Sequence, residues 1–153
     1  MKDMNRGKNN PIIDLYGVLN DFPDQRTGKT FGPVDSWGNG RVLVIDSLSA
    51  LSRMLFEMVI GTKPVKDMAD WGIVQQALMS LLHKLTSGCR CHFVLIAHVE
   101  REQDQITGGT KLMLSAPGKA ITAQIPQPFS DVIYTIRENA NFYWDTANSQ
   151  ADV

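Results

Sequence analysis

Apolar residues recur at helical spacing in three segments of the chain and run without interruption in two others. Ile12, Leu15, Tyr16 and Leu19 follow Asn10-Pro11, where Asn suits a helix cap and Pro the first turn, so the spacing predicts an amphipathic helix over 11–20. Leu51, Met54, Leu55 and Met58 form one stripe behind Ser47 or Ser49, and Gly61 with Pro64 closes that helix. A wider stripe, Ile73, Val74, Ala77, Leu78, Leu81, Leu82 and Leu85, predicts a long helix from near Asp67 or Asp70 to Ser87-Gly88. The continuous runs are Val42-Leu43-Val44-Ile45 and the stretch from Cys91 to Ala97. The first does not alternate with polar residues and suits the centre of a parallel sheet with helices on both faces; the second, which includes His92, predicts another strand ending at His98.

The remaining segments are less regular. Residues 1–10 are polar, and 21–40 carry four glycines and two prolines and read as an irregular lead-in. Residues 99–117 are polar and glycine-bearing, too long for an ordinary connection. A short helix is expected over 118–125, and strands over 131–137 and 141–146 flank the turn signal Glu138-Asn139-Ala140. The predicted fold class is therefore α/β: a mainly parallel sheet flanked by helices, with a C-terminal β-hairpin. The expected organisation is a lead-in over 1–40, a core over 41–147 and a tail over 148–153.

Composition adds exclusions. The 153 residues are 43% apolar and 20% charged, with a formal net charge of −1, so no overall basic field points to nucleic acid or membrane. No apolar run reaches the roughly 18 residues of a membrane span, and the polar start resembles no signal peptide. Cys89 and Cys91 lie one residue apart, where a disulfide is strained, and read as reduced thiols of a cytoplasmic protein.

Chemistry gathers at the two strand ends. Ligands of parallel sheets bind beyond the carboxyl ends of the strands, where Ile45 leads to Asp46-Ser47 and Ala97 leads to His98. A carboxylate fixed there suits Mg²⁺ that bridges phosphates; capping of the next helix is the plainer alternative. His98 can donate to a terminal phosphate or simply face solvent. Arg101 and Lys111, around the Gly108-Gly109 pivot, suit nucleic-acid phosphates, though Glu100, Glu102 and Asp104 share that surface loop. A metal site of His83, His92 and His98 is disfavoured, because His92 and His98 lie about 20 Å apart along one strand. The Gly28-Lys29-Thr30 run is not a working phosphate loop. It follows no buried strand, and Gly32-Pro33 cannot open a helix that offers N–H groups to phosphate.

Arg41 to Ser52, Asp70-Trp71-Gly72, His92 to Arg101, Thr107 to Lys111 and Phe129 to Tyr134, with Thr30 to Trp37 before them, together resemble the phage-encoded RecA-like ATPases of the AAA type. The similarity spans roughly residues 11–147. Some of these proteins assist single-strand annealing in phage recombination. The resemblance implies ATP and Mg²⁺, with Asp46 as the Walker B acid, Ser47 beside it in the metal shell, and His98 as a catalytic sensor toward the γ-phosphate. It places a DNA-contacting loop, with its Gly108-Gly109, at Thr107 to Lys111, beside the Arg101 already singled out for phosphate. It further implies single-stranded DNA as partner, a homo-oligomer or a full-length ATPase alongside, no membrane, and the cytoplasm of a bacterial host.

One departure qualifies the activity. The family begins with a strand, a Walker A loop and its helix, and nothing before residue 41 supplies them. The expectation is a RecA-like ATPase that is incomplete here and weak in ATP binding alone. The alternative is a non-enzymatic remnant that binds DNA or a full-length ATPase and regulates it. An aspartate-based phosphatase is disfavoured, because the second carboxylate position holds Leu48. The catalytic base stays open; Glu100 is near His98 in sequence, but spacing does not give its direction.

Overall fold

The computed structural model describes residues 10–61, 67–103 and 110–146, with backbone alone at 102–103 and 110–111. Four α-helices, a 3-10 turn and six strands follow in the order α1 (Pro11–Asn20), 3-10 turn (Val34–Ser36), β1 (Val42–Asp46), α2 (Leu48–Ile60), α3 (Met68–Gly88), β2 (His92–Ile96), β3 (Val99–Gln103), β4 (Thr110–Leu114), α4 (Lys119–Thr122), β5 (Tyr134–Glu138) and β6 (Asn141–Asp145).

The caps explain the helix bounds. The Asn10 carboxamide oxygen accepts from the Ile12 N–H, and Pro11 opens α1. Gly61 closes α2 with φ +54°, a conformation that glycine adopts without strain. Asp67 and Asp70 form a reciprocal capping box at the start of α3, each side chain accepting from the other's backbone N–H.

α2 and α3 pack against each other, and α1 packs on α2. Ile12, Leu48, Leu51, Leu55, Val74, Leu78 and Leu82 are fully or almost fully buried and form the centre of the core. Leu43 of β1 joins them, with Ile45, Phe93 and Leu95 packed against the cluster. Burial of each such side chain stabilises the fold by about 1.5–3 kcal/mol before conformational entropy opposes it.

Three expectations are corrected. The sheet is not mainly parallel: β1 and β2 form a two-stranded parallel pair, while β3–β4 and β5–β6 are antiparallel hairpins. β1 is not covered on both faces. Leu43 is buried, yet Val42 and Val44 are 55% and 53% exposed, and Val94 and Ile96 of β2 share their open face. The helices bury the inward residues only, and among the described residues nothing covers the outward ones. Finally, residues 99–117 are not a simple loop, because Val99–Gln103 pairs with Thr110–Leu114, Arg101 standing opposite Leu112.

The lead-in is also more ordered than its glycines suggest. The Phe31 N–H donates to the Phe22 carbonyl and the Phe22 N–H to the Gly32 carbonyl across a narrow turn, and Pro23 bridges to Thr30. Phe22 and Phe31 both meet the Trp37 ring edge-on. The Arg41 guanidinium lies over Phe31 and Trp37 at 5.4 and 5.1 Å and donates to the Phe31 carbonyl at 3.0 Å. This clasp fastens the lead-in to the amino end of β1.

Candidate functional site

The parallel pairing of β1 with β2 sets the geometry of the rim. Val42 stands opposite His92 and Asp46 opposite Ile96, so both strands point their carboxyl ends the same way. Asp46 closes β1, and His98 follows β2 by two residues. Both therefore lie at one end of the sheet, as the apolar runs predict.

Asp46 is exposed and has the strand parity of Val42 and Val44, which puts its carboxylate on the open face. Among the described residues it makes no hydrogen bond and no ion pair. The capping alternative does not hold, since the N-cap of α2 is Ser47. The Ser47 side chain makes no cap hydrogen bond, although its carbonyl accepts from the Leu51 N–H at 3.0 Å. Among the described residues the rim thus offers one free carboxylate, followed in the chain by the buried Ser47. Hard oxygen donors of this kind fit Mg²⁺, which keeps several waters and takes its other ligands from phosphate. They do not make a protein-only cage, and among the described residues no group of three or more His, Cys, Asp or Glu side chains converges to hold a metal.

His98 is exposed. Its carbonyl accepts from the Ser115 N–H at 2.8 Å, and the Ser115 hydroxyl donates to the Glu100 carboxylate at 2.6 Å. Ser115 therefore ties the exit of β2 to the end of β4 and fixes the Glu100 carboxylate two residues beyond His98. Sequence reasoning missed Ser115: a serine at the end of an apolar triplet carries no signal. It found Glu100 without its direction, which this hydrogen bond supplies.

The candidate nucleic-acid residues are only partly placed. Arg101 is exposed on β3. Lys111 stands opposite Glu102 in the register of the same hairpin. Gly108 and Gly109 lie outside the described residues.

Gly28-Lys29-Thr30 sits where phosphate chemistry is not. Thr27 and Arg26 bond the Asp24 carboxylate, and the Gly28 N–H donates to the Asp24 carbonyl, closing a turn with φ +70° at Gly28. These bonds, the Thr27 hydroxyl first, hold the Asp24 pKa below its ordinary value. The turn joins Phe31 and, through it, Arg41 at the amino end of β1. Asp46 is at the other end, about 15 Å away along the strand.

An AAA domain family matches residues 36–151, which covers β1, β2 and both hairpins. The chain belongs to this family of AAA-type P-loop ATPases. No curated protein and no solved structure matches it significantly.

Proposed function

We propose that the chain contributes the metal-side acid and the polar sensor of a AAA-type ATPase, related to the RecA-like proteins of phage DNA recombination and single-strand annealing. In this reading Asp46 holds Mg²⁺, directly or through water, with Ser47 in the same shell. His98 faces the γ-phosphate. The observation that carries it is the parallel β1–β2 pair, which sets the exposed Asp46 and His98 at one end of the sheet within the family-matched segment.

Phosphate contacts must come from another strand–loop–helix unit. Backbone N–H groups and a lysine supply most β- and γ-phosphate binding in such sites, and the Gly28-Lys29 turn lies at the wrong end of β1. The open face beside Asp46, formed by Val42, Val44, Val94 and Ile96, offers an apolar seat for such a unit. The same absence motivates a second reading: a non-enzymatic module that docks on a complete ATPase and regulates it.

Calorimetry with Mg-ATP separates these readings. The chain of 153 residues alone is expected to bind weakly or not at all. Addition in trans of a segment with a Gly-rich loop ending Gly-Lys-Ser or Gly-Lys-Thr should restore binding, and Asp46→Ala should remove what is restored. Restoration that survives Asp46→Ala overturns the metal role. Tight binding by the chain alone overturns the need for a supplied loop. No restoration by any such segment favours the regulatory module.

A further inference from the structure

The β5–β6 hairpin sorts its side chains by chemistry. In its register Thr135 stands opposite Trp144 and Arg137 opposite Phe142, which puts these four on one face. Tyr134, Ile136, Tyr143 and Asp145 occupy the other, where Tyr134, Ile136 and Asp145 are half-buried. The outer face is open: Trp144 is 81% and Phe142 69% exposed. Exposed aromatic residues of this size on one ribbon face are unusual in a soluble protein.

The composition of that face says what fits it. It holds two aromatic rings, one guanidinium and one hydroxyl, and no aliphatic side chain. Ile136, which suits a protein core, points to the other face. The acids of the ribbon are kept off it as well, since Asp145 and Glu138 share the parity of Tyr134 and Ile136. Arg137 lies over the Phe142 ring at 5.7 Å, and its Nε–H donates to the Asn139 carbonyl at 2.9 Å. Among the described residues its terminal nitrogens have no acceptor. A positive charge laid over an aromatic ring, with acids excluded, complements a polymer of anionic phosphates and flat bases.

We infer that the outer face of the β5–β6 hairpin is a base-stacking platform for single-stranded nucleic acid. Phe142 and Trp144 are two residues apart, roughly 6.8 Å along the strand. That is twice the ~3.4 Å rise per nucleotide of a stacked strand, so the two rings address bases that have been drawn apart. A duplex does not offer them. The platform uses neither Arg101 nor Lys111, and it requires no nucleotide cofactor.

The test is a titration of the full chain, without ATP or Mg²⁺, against labelled oligo-dT and oligo-U of about 12 nucleotides, within the usual site size. Anisotropy reports binding, and the part of the tryptophan quenching that Trp144→Ala removes, with Trp37 and Trp71 retained, reports Trp144. Binding should weaken with salt. Trp144→Ala should reduce affinity about 5- to 150-fold, the effect of losing one base–ring stack. Arg137→Gln should flatten the salt dependence by about one released ion, while Arg101→Gln leaves the Trp144 quenching in place. Circular dichroism checks that the variants fold, as exposure of both side chains leads us to expect. The inference is overturned by any of four results: no binding, binding unchanged by Trp144→Ala, a duplex bound as well as the single strand, or self-association that buries Trp144.

Discussion

Cys89 and Cys91 flank the entry to β2, and their environment differs from that of a reactive thiol. Cys91 is buried and Cys89 half-buried. Burial, reinforced by the neighbouring Cys91, pushes the Cys89 thiol above its ordinary pKa of 9.0. The fold therefore favours the neutral thiol. That contribution to stability is fully present below the unfolded pKa and is lost as pH rises through the raised folded value. Alkylation of Cys89 should accordingly be slow at neutral pH, with a midpoint displaced upward from that of the unfolded chain. An unshifted midpoint, followed by mass spectrometry across a pH series, contradicts the burial effect. At this scale the sequence was informative where a polar residue interrupts an apolar run: Asp46 and His98 were legible for that reason. Ser115 was not, because its role depends on two partners that only the β3–β4 pairing brings near.

Helix ends were the most legible elements. Asn10-Pro11, Gly61 and the Asp67/Asp70 pair each satisfy backbone groups within a few residues, and that chemistry is local. β3 and β4 were hidden for the opposite reason. Val-Glu-Arg-Glu-Gln and Thr-Lys-Leu-Met-Leu do not alternate cleanly, and their pairing is set across the intervening segment. The start of α4 gives a prediction. Gly118 has φ +96°, and a Cβ there would meet Gln75 Nε2 at 2.7 Å, the atom that donates to the Pro117 carbonyl. Gly118→Ala should therefore destabilise by about 1–3 kcal/mol, from backbone strain and the loss of that clasp. Urea unfolding measures it, and an unchanged midpoint would show that the turn relaxes at no cost.

Across the whole molecule, the core is helical and the sheet is its lid on one side. The continuous apolar run of β1 predicted burial on both faces, yet the structure meets that expectation on one. The pattern reports what the strands are suited to contact, whereas exposure reports what the described residues supply. Leu78→Ala should cost about 2–5 kcal/mol through the cavity it leaves in the helical core. Val44→Thr, on the open face, should change stability by less than about 0.5 kcal/mol. Comparable losses from the two, measured by thermal or urea unfolding, would mean that the open face is covered in solution. Among the described residues, no helix is long and apolar enough to cross a membrane.

The parallel pairing of Val42 with His92 also dictates an order of assembly. Both α2 and α3 lie between these strands, so the chain must close a long loop before the first cross-strand bond forms. Helix contacts are local and form early; the β1–β2 ladder comes late. Asp46 and His98 come to one end of the sheet only with that ladder, so a partly folded chain carries both residues without bringing them to one rim.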